Sequence, residues 1–334
     1  MRKVHLFSFL FFFGLNISAI AGANKKSIEP RIIEADVCVY SATGSGIMAA
    51  IAVKEEGKSV VIIEPGRWVG GILGAGIKPF QDCPNFEAVG GRTREVMKIL
   101  GMEDDRREYS EVEVRQKMKS IMSPREIRND FLDLLQKHDI RVVYNQRINR
   151  CEKRDAQIEM AVFDYAPFDE TGCPVASADS VGNLTVKAKV FIDASYDGQL
   201  LWRAGVSFRI GRESELDYGK EYAGVQEPMN VTPIDPFVKK GNPESGLLNL
   251  VQHDHGKPVG AGDYFTQAYN FRYYITTNPE NRANIQPPEN YNAADYELVG
   301  RYVEYLKKEF SDEEELVQRL SWIFPGWLNS QEYN

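Results

Sequence analysis

A strand, a tight turn of small residues and a helix follow one another from Ile32 to Glu56, and this joint constrains the fold more than any other stretch of the chain. Ile32 to Ser41 is short, apolar and rich in β-branched residues, which suits a strand buried on both faces of a parallel sheet. A helix is expected from Gly44 to Glu56, stopped by Gly57 as its C-cap. Ser59 to Glu64 reads as a second buried strand, closed by Pro65 and Gly66. Strand, helix and strand within about thirty residues make a right-handed βαβ unit, so the fold class is α/β.

The turn itself lies in D-V-C-V-Y-S-A-T-G-S-G, Asp36 to Gly46. In a dinucleotide site a glycine-rich turn lets backbone approach a pyrophosphate, and the following helix N-terminus supplies N–H groups and a positive dipole end. Ser41 and Thr43 occupy the first two glycine positions of that frame, and Gly46 is kept at the third. An α/β unit without a ligand accounts for this stretch as well. Glu64 tips the balance, because an acidic side chain ending the second strand is placed to accept hydrogen bonds from an adenosine ribose. Its charge repels a 2′-phosphate, which favours FAD or NAD over NADP. Gly70, Gly71, Gly74 and Gly76 then suit a loop whose backbone passes close to a ligand.

Further along, Ser123-Pro-Arg-Glu supplies an N-cap, a proline at the first helical position and a capping-box glutamate, with Ile127, Phe131, Leu134 and Leu135 on one helix face. Arg141 to Asn145 is a third strand, Ile148 to Lys187 alternates as a β-meander, Lys189 to Ser195 returns as a buried strand, and a helix runs through Leu200, Leu201 and Ala204. From Glu213 prolines 228, 233, 236, 243 and 258 break long elements, leaving a strand from Tyr264 to Thr276 and a helix from Ala293 to Phe310. At 334 residues the chain exceeds the ~100–200 that one domain usually organises. The expected plan is a Rossmann-like FAD-binding domain with an inserted β-meander over 35–212, and a partial α+β substrate or cap domain over 213–334.

Arg2 and Lys3 precede an apolar run from Leu6 to Leu15, with small residues at Ala19, Ala21 and Ala23, the pattern of a secretory signal peptide over 1–21 followed by a linker over 22–34. The run is shorter than the ~20 residues a bilayer needs, so cleavage without membrane insertion and a periplasmic or extracellular destination are expected. A net charge of −8 argues against nucleic acid as a partner. Cys38, Cys83, Cys151 and Cys173 lie far apart with no C-x-x-C pair, so neither a metal nor an iron–sulfur site has a local framework. An exported chain allows a Cys151–Cys173 pair; separate buried thiols account for the same residues.

Taken in order, these blocks resemble the FAD-dependent oxidoreductase family of exported bacterial proteins, some members of which carry a xanthan lyase label. The (G/S)-A-T-x-(S/A)-G turn is matched by Ser41 to Gly46, including Ala42, Gly44 and Ser45, and E-P-G-R-x-x-G-G by Glu64 to Gly71, including Arg67. I-D-A-(S/T)-Y-(D/E)-G is matched by Ile192 to Gly198, followed by G-R-E-S at Gly211, Y-A-G-V-Q at Tyr222 and Q-A-Y-N-F-R at Gln267. The resemblance implies FAD extended along the βαβ unit, its ADP half on Ser41 to Gly46 and Glu64. Arg67, Gly70 and Gly71 would border the pyrophosphate and ribityl chain, and Ala194 and Ser195 would approach from the returning strand. The wider group resembles the flavin-carrying component of heterodisulfide reductase, sometimes credited with a 4Fe-4S cluster, for which the cysteine spacing here gives no support. Trp68 stands where relatives often carry His, which rules out a covalent His–flavin bond there. Such relatives usually continue for a couple of hundred residues, so an incomplete second domain ending at Trp322, Phe324 and Trp327 is expected.

For the substrate, Asn270 and Arg272 share parity on the expected strand and carry donors suited to a carboxylate or sugar hydroxyls; a polar outer strand face accounts for them equally. His253 and His255 suit a solvated loop better than a metal. The leading reading is an oxidoreductase whose flavin accepts a hydride from a small or sugar-derived substrate, with catalytic base and electron acceptor unassigned. The alternative is an exported flavin- or nucleotide-binding module without turnover. A polysaccharide lyase would need an acid and base flanking a sugar acid, and no such pair stands out.

Overall fold

A computed structural model describes residues 31–75, 86–100, 110, 112–113, 124–169, 175, 182–219, 221–227, 233–253, 256–266, 275–276, 279–281, 283, 286–320 and 332–333. The expected leader, Cys83, Ser123, Cys173, His255, Asn270, Arg272, Trp322, Phe324 and Trp327 lie outside the described residues.

Six strands make the main sheet: β1 (Arg31–Tyr40), β2 (Val60–Ile63), β3 (Arg141–Val143), β4 (Gln146–Arg154), β5 (Gln157–Tyr165) and β6 (Leu184–Asp193). Their order is β3-β2-β1-β6-β5-β4. The first four in that order run parallel, and β6, β5 and β4 pair antiparallel, so a nucleotide-type sheet carries the meander on one side. The expectation of a meander ending at Lys187 and a separate strand from Lys189 needs correction. One continuous strand pairs with β5 over Leu184–Lys187 and with β1 from Leu184 to Asp193. Nothing in L-T-V-K-A-K-V-F-I-D can interrupt a ladder, since it holds neither glycine nor proline.

The apolar end of β1, Val37 to Tyr40, is covered on both faces, whereas Arg31 to Asp36 is only partly buried or exposed. Val37 and Val39 join a core with Ile47, Ile51, Ile62, Ile127 and Phe131, whereas Cys38 and Tyr40 join Ile63, Ile148, Phe163 and Leu200 on the other side. The first core is roofed by α1 (Gly44–Glu55) and α3 (Pro124–Lys137), with α2 (Gly91–Met97) adding Val96. α3 is amphipathic and turns Ile127, Phe131 and Leu135 inward, each worth about 1.5–3 kcal/mol of burial. α1 ends where Gly57 takes φ +68, with the N–H groups of Gly57 and Lys58 returning to the carbonyls of Lys54 and Val53.

After β6 comes α4 (Gln199–Arg203), and beyond it the regular elements shrink: α5 (Glu215–Tyr218), a hairpin of β7 (Phe237–Lys239) and β8 (Asn242–Leu247), β9 (Ile275–Thr276) paired with β10 (Glu332–Tyr333), α6 (Glu297–Glu309) and α7 (Glu313–Leu320). Arg301 of α6 is buried and donates to the carbonyls of Asp235 and Phe237, fastening α6 to the hairpin. The strand expected from Tyr264 is present among the described residues only at Ile275–Thr276. Tyr264–Thr266 are irregular, because the Asp263 carboxylate accepts the Phe265 N–H and turns the chain.

Arg212 and Asp263 exchange both backbone hydrogen bonds, and the Arg212 guanidinium clasps the buried Asp263 carboxylate. That hydrogen-bonded pairing holds the carboxyl at about 2, below its ordinary 3.8. A depressed folded value means stability that is present above 3.8 and lost as the pH falls through about 2. The advantage of wild type over Asp263→Asn in thermal melting is therefore expected to be full at pH 5 and to vanish towards pH 2. A constant gap across that range would show that the clasp is not what the carboxylate contributes.

Candidate dinucleotide site

β1 runs into Ser41, Ala42 and Thr43, and hydrogen bonds rather than glycines shape this turn. Ser41 sits at φ +80, the left-handed region that explains why glycine is usual at this place. Its serine is retained through two bonds: Ser41 N–H donates to the Ile63 carbonyl at 2.7 Å, and its hydroxyl donates to the Glu64 carboxylate at 3.2 Å. Thr43 is the N-cap of α1. Its hydroxyl accepts from Gly46 N–H and donates to the Ala194 carbonyl at 2.8 Å, stitching the turn to the end of β6.

Gly46 is required by packing. A Cβ there would collide with the Ser41 carbonyl oxygen and stand 3.1 Å from Ala194 Cβ, so the first turn of α1 lies directly on the ends of β1 and β6. Gly44 N–H faces the Gly70 carbonyl in the parallel bridge between Thr43 and Gly70, whereas the N–H of Ser45 carries no hydrogen bond among the described residues and Ser45 is exposed. An open, exposed donor at the positive end of a twelve-residue helix suits an anion.

Glu64 is buried, 7% exposed, and already has three donors. Ala42 N–H and the Ser41 hydroxyl reach Oε2, the former at 2.5 Å, and Gly66 N–H reaches Oε1 at 2.6 Å. Burial pushes its carboxyl above the ordinary value, and the three donors pull in the other direction. A carboxylate offers about four lone-pair sites, so one on Oε1 stays open for a further donor. The glycine loop docks against the same turn. Gly70, at φ +91, donates its N–H to the Ala42 carbonyl at 2.7 Å, and a Cβ there would press the Phe131 ring at 2.7 Å.

Ala194 N–H donates to the Tyr40 carbonyl, continuing the β1–β6 ladder into the site. Ser195 donates N–H and hydroxyl to one Asp193 oxygen, at 2.9 and 2.6 Å, while the other oxygen accepts from Leu201 N–H. Asp193 thus sets the Ala194–Ser195 bend, a role the D-x-S spacing signals. Arg67 stands apart from the turn in a stack: its guanidinium lies 4.9 Å over the Trp68 ring and 5.3 Å over Phe168, with Arg128 over the same Trp68 ring. Ser41, Ala42, Thr43, Gly46, Glu64, Gly70 and Ala194 are joined to one another by direct bonds or contacts, with Gly44 and Ser45 opening α1 beside them.

A family model described as FAD dependent oxidoreductase matches residues 36–326. The chain belongs to that family. Among solved structures, a flavin-dependent brominase, Bmp2, is 16% identical, with a TM-score of 0.33 over 54% of this chain and 43% of its own. A geranylgeranyl bacteriochlorophyll reductase-like protein from Thermoplasma acidophilum is 15% identical, TM-score 0.32, over 53% and 43%. L-proline dehydrogenase from P. horikoshii is 13% identical, TM-score 0.27, over 50% and 23%. The chain spans less than half the length of each. A search of curated proteins found no match. The residues present suit the family's cofactor: an open N–H donor at a helix N-terminus for a diphosphate, glycines where a Cβ would fill the turn, and a buried carboxylate with a lone pair to spare.

Proposed function

We propose that this family member holds FAD along β1, α1 and β2 and oxidises a C–H bond of a small or sugar-derived substrate. In this reading the diphosphate lies at the N-terminus of α1 on the Ser45 N–H, the open Glu64 lone pair takes a ribose hydroxyl, and Ala194 and Ser195 border the nucleotide from β6. Bound flavin supplies the hydride acceptor, and the protein supplies orientation and dryness. The observation that carries this reading is the unfilled, exposed Ser45 N–H at a helix end otherwise pinned on every side. In the second part of the chain an open cavity of about 610 Å³, lined by Phe208, Ile210, Arg212, Lys257 and Tyr264, has the volume a small substrate needs. No described helix is long and apolar enough to cross a membrane, and we propose export after loss of residues 1–21.

Purified full-length protein is expected to be yellow, and Ser45→Glu tests where the cofactor sits. An acidic side chain in the first turn of a helix stabilises the apoprotein by about 0.3–1 kcal/mol through the dipole. The same charge repels a diphosphate, so FAD affinity should fall about tenfold or more, the equivalent of ~1.4 kcal/mol. Opposite signs in melting temperature and flavin content, measured on one preparation, support the site. Unchanged FAD content in a stable Ser45→Glu protein overturns it.

A further inference from the structure

We propose that Tyr196 is a cofactor contact: its phenol oxygen holds the glycine loop, and its own proton is presented to the diphosphate of the bound dinucleotide. This rests on the flavin reading above. Ile72 N–H donates to the Tyr196 oxygen at 2.9 Å, across 124 residues of sequence, so the phenol accepts from the loop that follows Gly70 and Gly71. Among the described residues nothing accepts the phenol's own O–H. Gly71, at φ +55, is flanked by both groups that define the place: a Cβ there would stand 3.1 Å from the Thr43 methyl and 3.1 Å from the Tyr196 ring, and would collide with its oxygen. The hydroxyl is therefore beside Thr43, the N-cap of α1.

Burial does not explain why a large aromatic occupies this position, since Tyr196 is 66% exposed. Its backbone, in contrast, is fixed, because Asp193 ties down the preceding Ser195 and Thr43 holds the Ala194 carbonyl. A rigidly mounted, solvent-facing phenol with one acceptor site used and its donor free among the described residues adds a second hydrogen-bond donor to the open Ser45 N–H. A diphosphate is the ligand chemistry that such donors at a helix N-terminus recognise.

The experiment compares full-length wild type and Tyr196→Phe, freed of flavin, for binding of FAD, ADP and adenosine. The phenylalanine variant is expected to bind FAD and ADP about tenfold more weakly and adenosine unchanged, with its thermal unfolding close to wild type. Equal affinity for FAD and ADP in the two proteins overturns the proposal. A matching loss for adenosine also overturns it, because Tyr196 would then act only by ordering the loop. A wild type that binds none of the three overturns the flavin reading itself.

Discussion

Gly46→Val is expected to remove the folded nucleotide domain, leaving no soluble protein in which flavin content could be compared. Overpacking a core usually costs about 1–3 kcal/mol because side chains can shift. At Gly46 the obstruction is the Ser41 carbonyl, backbone held by the Ser41 bond to Ile63 and by the carboxylate of Glu64, with Ala194 Cβ closing the other side. Neither neighbour can withdraw without opening the β1–β6 ladder. Even Gly46→Ala should lose about 3 kcal/mol or more, a large share of the ~5–15 kcal/mol that holds a domain together. Urea unfolding of Gly46→Ala against wild type measures this, and a midpoint shifted by less than the experimental error would mean that α1 does not rest on Ser41. The sequence frame assigns this glycine to ligand and packing together. The Cβ clash shows the packing role, so Ser45 is the position where binding is tested without unfolding.

Glu64→Leu should be nearly as severe. The substitution removes three hydrogen bonds at once and leaves Ala42 N–H and Gly66 N–H without an acceptor, an expected loss of about 3 kcal/mol even after credit for no longer burying a charge. Ser41 would lose the bond that helps it remain at φ +80, so the turn itself should relax. Glu64→Gln, which keeps an acceptor for Gly66 but turns an amide against Ala42, should lose roughly half as much. The pH dependence adds a separate check. A carboxyl raised by burial contributes most below its ordinary 4.5, and that contribution fades as the pH climbs through the folded value. Denaturation of wild type and Glu64→Gln across that range should show a gap that narrows with rising pH. A leucine variant with wild-type stability would remove Glu64 from the architecture of the turn.

The parts of this molecule that were legible beforehand are those whose signals are local. β1, α1 and β2 announce themselves through apolar runs bounded by small residues and by Gly57, and Glu64 stands out as an acid ending a strand. Their observed limits, Arg31–Tyr40, Gly44–Glu55 and Val60–Ile63, differ from the expected ones by a residue or so at each end. What could not be read are pairings across long stretches of chain. Residue type alone does not disclose that Tyr196 reaches Ile72, that Thr43 reaches Ala194, or that Arg212 and Asp263 join through both backbone and side chain. The second part of the chain was harder for a further reason. α5 buries nothing, and its loops are held by carboxylates capping N–H groups, which leave little periodicity to detect.

The placement of β6 beside β1 fixes the order in which this protein can be assembled. Each β6 partner of β1 lies about 150 residues further along the chain, a contact order typical of slow folding. At about 5–20 residues per second, a ribosome needs roughly 10–30 s to make that intervening length. Throughout that interval β1 can pair with β2 while its other edge stays open, the kind of strand edge that invites association between chains. The Ala194 carbonyl that receives Thr43 and the ring of Tyr196 both follow β6, so that wall of the candidate nucleotide site is added only when the sheet is closed. The turn and α1 are made early and wait for β6, so the site is completed by the last strand to join β1.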